Sequence, residues 1–151
     1  TNDVVRGAII PLSAERRCSF AEIMNGGLPV EPGKMVTHNW GNLFSHLVAA
    51  IVADALEEEE FGDILAMLED DIDELESWIR QSGSADRTYW VCAFSVSQHD
   101  GICGGNPHGT RDSVSGLLHA VCQCGKAKYW NDTPPLRADG EAIRCEMNKF
   151  D

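Results

Sequence analysis

The chain has 151 residues, of which 43% are hydrophobic and 24% charged, and its net charge is −12. This size and composition suit one ordinary domain with a packed core, and they exclude wholesale disorder. An acidic chain is repelled by nucleic-acid phosphates, so we expect no nucleic-acid partner. The longest apolar stretch, residues 43–56, is interrupted by Ser45, His46 and Asp54. It is too short and too polar to span a membrane.

Half of the acidic residues lie in one segment. Between Asp54 and Glu76 there are 12 acidic residues and no Lys or Arg, whereas the rest of the chain is neutral. This pattern is typical of a solvated helix face. The alternative is a docking face for a basic protein partner.

The first 30 residues predict a helical lead-in. Asn2 or Asp3 is placed to cap a short apolar turn, which Pro11 should end. Ser19 and Glu22 then form a capping-box pattern that opens a short helix, and the glycine pair at 26–27 should stop it.

Residues 34–99 predict an α/β core. Residues 34–37 are expected to form a short buried strand, and an apolar stripe predicts a helix over 43–56. A second stripe predicts one helix over about 61–80, and the β-branched and aromatic run 88–96 predicts a strand buried on both faces. Strand, helix, helix and strand in this order indicate a short parallel sheet with crossover helices. We therefore expect residues 1–99 to form an α/β core with an N-terminal helical lead-in.

Residues 100–151 differ from the core in composition. They are rich in Gly, Pro, Asp and Asn, and they contain four of the six cysteines. We expect a loop-rich segment packed on the same domain, which needs a disulfide or a metal because it has few large apolar residues. No secretory signal opens the sequence, which favours free thiols and a soluble, intracellular protein. The choice between cytoplasm and an organelle such as a plastid stays open.

The cysteines of this segment have a spacing that favours zinc. Cys122 and Cys124 form a C-x-C pair, and Cys103 would be a third ligand. Either Cys145 or His119 would complete a tetrahedral shell, and a closed set of four ligands indicates structural rather than catalytic zinc. Reduced thiols without metal and a disulfide remain alternatives.

Polar residues follow both predicted strands. His38, Asn39 and Trp40 come after the first strand, and Gln98 and His99 come after the second. Because parallel strands end at one edge of a sheet, where open α/β sheets bind ligands, these five side chains are candidates for a ligand pocket. Alternatively, His38 caps the following helix and Trp40 fills the core.

Four strings carry a resemblance to a known family. They are residues 35–40 (Met-Val-Thr-His-Asn-Trp), 89–99 (Tyr-Trp-Val to Ser-Gln-His), 102–107 (Ile-Cys-Gly-Gly-Asn-Pro) and 145–151 (Cys-Glu-Met-Asn-Lys-Phe-Asp). Together they resemble a divergent TIR-like family that includes algal proteins of the dinoflagellate type, over about residues 34–151. The resemblance implies a flavodoxin-like fold, here truncated.

The resemblance has three departures that bear on function. Thr37 stands where the family has Ser, and Cys92 stands where it has Asp. The chain also ends at Asp151, before the Trp-Cys-x-x-Glu segment on which TIR-type NAD hydrolysis rests. We therefore expect a non-catalytic, TIR-like interaction or scaffold module with a protein partner. The alternatives are an NAD-hydrolysing or nucleotide-binding enzyme with a small nucleotide ligand, and an accessory subunit of a larger algal plastid complex.

Overall fold

The computed structural model describes residues 1–129, 136 and 138–141. The chain divides into two compact units. The first unit contains Thr1, Asn2 and residues 30–92, and the second contains residues 3–29 and the chain from Ala93 onward. The boundary predicted between residues 99 and 100 falls inside the second unit.

The described residues form a mixed set of short elements. In chain order these are α1 (Asn2–Val4), a π-helical turn (Val5–Ile9), α2 (Ile10–Ser13), α3 (Phe20–Met24), β1 (Lys34–Val36), α4 (Phe44–Leu56), α5 (Gly62–Asp70), α6 (Ile72–Gln81), β2 (Tyr89–Val91) and α7 (Cys92–Ser95). None of these helices has the length and apolarity that a bilayer crossing requires.

The sheet of the first unit is a parallel pair, as the sequence predicts for a small α/β fold. Met35 of β1 lies opposite Trp90 of β2. The pair is less buried than predicted, since Met35 is 64% exposed. The second strand is also shorter than predicted, because the chain turns into α7 after Val91 instead of continuing to Val96. Tertiary context therefore overrides the strand propensity of this run.

Helices α4, α5 and α6 supply the core of the first unit. The buried residues of this core cluster are Ala49, Ala53, Ile64 and Leu75. The single helix predicted over about 61–80 is two helices, because Asp71 leaves the helical conformation and its carboxylate accepts a hydrogen bond from the Glu74 backbone N–H at 3.1 Å. Asp71 is thus the N-cap of α6.

The acidic segment of the first unit lies on its surface. All 12 acidic residues between positions 54 and 76 are exposed. The apolar stripe between them is only partly buried: Leu65, Leu68 and Ile79 pack against the core, whereas Phe61 and Ile72 are exposed. The prediction of a solvated acidic face is therefore confirmed. The buried part of the apolar stripe is narrower than the sequence predicts.

The second unit begins with helical residues up to Ser13. Pro11 does not end this segment, contrary to the prediction. It lies in the first turn of α2, where a missing backbone N–H is tolerated. The backbone N–H of Ile10 bonds back to the Val5 carbonyl, which makes the preceding turn π-helical. The predicted cap of α3 is confirmed, since the Ser19 hydroxyl accepts a hydrogen bond from the Glu22 N–H.

Candidate metal centre

Four side chains of the second unit converge. They belong to His99, Cys103, Cys122 and Cys124, and their ligand atoms all lie within 4.8 Å of one another. The group could therefore hold a metal ion. The three cysteines are those that the sequence predicts as ligands, and His99 joins them as the fourth residue.

Backbone hydrogen bonds bring the two ends of this cluster together. The Cys103 N–H donates to the Gln98 carbonyl at 3.1 Å, which folds a tight turn between His99 and Cys103. The Cys122 N–H donates to the Cys103 carbonyl at 2.7 Å and so holds the C-x-C pair beside that turn. Gly125 follows with φ +69°, a left-handed conformation that glycine adopts without strain. The chain can therefore turn away directly after Cys124.

The distances suit a tetrahedral ion. The Sγ atoms of Cys103 and Cys124 are 3.7 Å apart, and the Cys122 Sγ is 3.8 Å from the His99 Nδ1. A tetrahedron with metal–sulfur bonds of about 2.3 Å and a metal–nitrogen bond of about 2.0 Å has edges of about 3.8 Å between sulfurs and about 3.5 Å between sulfur and nitrogen. These two distances are thus close to the spacing that one zinc-sized ion requires, and all four ligand atoms lie within 4.8 Å of one another.

Electrostatics favours a thiolate in the cluster. A hydrogen bond from the Lys126 backbone, together with side-chain hydrogen bonds to its neighbours in the cluster, lowers the pKa of the Cys124 thiol to about 6 despite the opposing effect of burial. Burial raises the pKa of Cys103 to about 11. The Lys128 ammonium lies 3.9 Å from the Cys124 Sγ and donates to the His99 carbonyl at 2.7 Å. A cationic side chain is therefore fixed beside the sulfurs, where it offsets negative charge.

The segment that carries the cysteines buries almost no apolar surface. Between residues 100 and 129, the buried residues are Cys103 and His119. Most of its large apolar residues are exposed, including Val114 at 94% and Leu117 at 70%. Hydrophobic burial therefore contributes little to the order of this segment.

His119, one of the two residues predicted as the fourth ligand, is placed elsewhere. Its Nε2 lies 2.9 Å from the Asp3 Oδ1, and its Nδ1 lies 3.0 Å from the Thr110 hydroxyl. A hydrogen bond from the Ser113 hydroxyl lowers the pKa of the Asp3 carboxyl. This group anchors the loop to the N-terminal residues through its own hydrogen bonds. Cys145, the other predicted ligand, lies outside the described residues.

The sequence predicts His99 for the ligand pocket and not for the candidate metal cluster, in which the structure places it. The sequence contained a signal for it, because His99 precedes Cys103 by four residues. That spacing lets both side chains reach one ion when the chain between them turns tightly. The sequence does not predict the turn between His99 and Cys103, because residues 88–96 have the pattern of one long strand.

The other predicted pocket residues form local contacts. In the first unit, the Asn39 carboxamide accepts a hydrogen bond from the Gly41 N–H, and the Trp40 indole donates to the Cys92 Sγ at 3.5 Å. Burial lowers the pKa of His38. In the second unit, the Gln98 amide donates to the Ala93 carbonyl at 3.3 Å. Because these residues belong to different units, the shared pocket stays a prediction.

Comparison with known proteins adds no functional assignment. No family model, no curated protein and no solved structure matches this chain. The function must therefore be argued from the site and from the surface.

Proposed function

We propose that this chain is a non-catalytic, TIR-like interaction or scaffold module whose loop-rich segment is held by a structural zinc ion. His99, Cys103, Cys122 and Cys124 would be the four ligands. The TIR-like part of the proposal rests on the family strings of the sequence, two of which, residues 35–40 and 89–99, include residues of the paired strands β1 and β2.

The donor set supports zinc. Three thiols and one imidazole form a soft, four-membered set, and zinc in structural sites is bound by such sets in tetrahedral geometry. A complete shell of protein ligands leaves no open position for water or substrate, which is why the proposed role is structural.

One observation carries the structural role: in the described loop between residues 100 and 129, the three thiols converge with His99 in a buried to half-buried cluster, whereas most of the large apolar side chains are exposed. A segment that cannot be ordered by apolar burial needs a cross-link. Metal binding supplies one, because its binding free energy becomes folding free energy.

The acidic surface supports the interaction role. The segment between positions 54 and 76 exposes 12 carboxylates and contains no Lys or Arg. Three of these carboxylates form ion pairs with basic residues outside the segment, namely Asp54 with Lys34, Glu57 with Arg87 and Glu76 with Arg80, and the surface stays strongly acidic because the carboxylates far outnumber these partners. Such a surface attracts a basic partner and accelerates its association at low ionic strength. Accordingly, the proposed partner is a protein with a basic patch.

Metal analysis tests the zinc site. Protein purified without added metal should contain one zinc per chain, and Cys122→Ser should lose it. Cys18→Ser is the matched control, because Cys18 is also a half-buried free cysteine but lies outside the cluster. Wild-type protein with no bound metal and freely titratable thiols would contradict the proposal. Bound iron instead of zinc would support the four-ligand metal centre but contradict the assignment of zinc.

A second assay tests the absence of catalysis. The chain is incubated with NAD, and nicotinamide release is followed by chromatography. We expect no release above that of a heat-denatured sample. Release that disappears in His38→Ala would instead support the enzyme alternative.

A further inference from the structure

A buried serine lies directly behind the candidate metal centre. Ser13, the last residue of α2, is 1% exposed, and its hydroxyl oxygen is 2.9 Å from the Nε2 of His99. His99 is itself fully buried. The two residues are 86 positions apart in the chain, so the contact depends on tertiary structure.

The direction of this hydrogen bond follows from the proton count. A serine hydroxyl has one proton to donate. The Ser13 hydroxyl lies 2.6 Å from the carbonyl oxygen of Ile9, four residues earlier, and donates its proton there. The Ser13 oxygen is therefore left as an acceptor, and the His99 Nε2–H must be the donor.

The direction of this hydrogen bond determines which ring nitrogen keeps a lone pair for a metal. A neutral imidazole has one N–H, so a proton on Nε2 leaves a lone pair on Nδ1. The Nδ1 is the atom that lies 3.8 Å from the Cys122 Sγ. Metal-ligating histidines are commonly fixed in this way by a hydrogen bond from the nitrogen that does not bind the metal.

We propose that Ser13 is a positioning residue for the metal. Its hydroxyl holds His99 in the Nε2–H tautomer and thereby presents Nδ1 as the fourth ligand atom. This inference rests on the proposed function, namely that the cluster binds zinc. It also assigns a role to the N-terminal helical segment, because Ser13 is correctly placed only when α2 is formed and its Ile9 carbonyl is available.

The first experiment measures zinc affinity by competition with a chromophoric chelator. Ser13→Ala should weaken zinc binding about 10–100-fold, the usual effect of losing such an outer hydrogen bond. Ser19→Ala is the control. The Ser19 hydroxyl belongs to the same unit, but it caps α3 by accepting a hydrogen bond from the Glu22 N–H and is not part of the cluster. The zinc affinity of Ser19→Ala should stay within about twofold of wild type. Equal affinities in wild type and Ser13→Ala would overturn the inference.

The second experiment reads the tautomer directly. Long-range ¹H–¹⁵N spectra of histidine-labelled protein distinguish a proton on Nε2 from one on Nδ1. Wild-type His99 should carry its proton on Nε2 with and without zinc, and metal-free Ser13→Ala should gain the Nδ1–H form. A zinc ion bound through Nε2, or an affinity loss in Ser13→Ala with an unchanged tautomer, would show that Ser13 is only structural.

The two proposals fail in different ways. A wild-type protein that binds no zinc refutes the zinc site, and the tautomer of the metal-free protein still decides what Ser13 does to His99. A wild-type protein that binds zinc regardless of Ser13 keeps the zinc site and refutes the positioning role.

Discussion

Loss of one thiol should loosen a defined set of backbone hydrogen bonds. Cys122→Ser removes one of the four proposed ligands and leaves its backbone in place. Three amides of the loop report on the consequence: Cys122 N–H to the Cys103 carbonyl at 2.7 Å, His119 N–H to Thr110 at 3.1 Å and Tyr129 N–H to Asp100 at 2.7 Å. Each of these hydrogen bonds joins two parts of the loop that are far apart in the chain, so each requires an ordered loop.

The size of the effect follows from binding linkage. At a free zinc concentration a thousandfold above Kd, bound zinc stabilises the folded loop by about 4.1 kcal/mol. That free energy corresponds to roughly a thousandfold change in the opening equilibrium. Apolar burial offers little compensation in this segment, since Leu117 and Leu118 are 70% and 56% exposed. We therefore expect the three amides to exchange up to about a thousandfold faster in the variant.

Hydrogen exchange followed by mass spectrometry measures this change. Peptides from residues 100–129 should lose protection in Cys122→Ser and in wild type treated with a strong chelator. Peptides from α4 should keep theirs, because α4 is ordered by the apolar core around Ala49 and Ala53. Cys18→Ser should match wild type. Unchanged protection of the loop after verified zinc removal would refute the reasoning.

Three further changes test the core, the acidic surface and one anchored carboxylate. Leu75→Ala should lower the free energy of unfolding by about 2–5 kcal/mol, because the Leu75 side chain is 2% exposed in the core. Ile72→Ala is the control and should lower it far less, because Ile72 is 62% exposed. Urea denaturation measures both free energies. Glu58→Gln should change that free energy by less than about 0.5 kcal/mol because the side chain is exposed, and a large loss would contradict the solvated face. Because the Ser113 hydrogen bond lowers the pKa of Asp3 below 3.8, its carboxylate stabilises the fold above that pH. The contribution disappears as pH falls through the lowered pKa. Asp3→Asn should therefore flatten the acid limb of a stability–pH profile, and an unchanged limb would argue against the anchor.

The sequence predicts the parts of the fold that depend on local pattern. The parallel strands at 34–36 and 89–91, the helix over 44–56 and the Ser19 cap all follow from propensity, periodicity and capping chemistry. The break at Asp71 also had a local signal, because Asp71 and Glu74 have the spacing of a helix cap. The apolar stripe of residues 61–79 does not indicate this break, because the same spacing of apolar residues fits one long helix or two successive helices.

The ligand set could be predicted only in part. Cys103, Cys122 and Cys124 are predictable as candidate ligands because a scarcity of apolar residues coincides with an excess of thiols. That His99 and not His119 lies among the three thiols depends on which residues the tertiary structure brings near the sulfurs. The role of Ser13 depends on a contact with a residue 86 positions away, and no local pattern contains that information.

The separation of Ser13 from His99 has a consequence for the order of folding. Closing a loop costs more chain entropy as its length grows, and the increase is logarithmic. The contact between His99 and Cys122 spans 23 positions, whereas that between Ser13 and His99 spans 86. The longer closure costs about 1.2 kcal/mol more. The thiol cluster should therefore assemble first from residues close together in the chain, and the N-terminal helical segment should dock onto it afterwards.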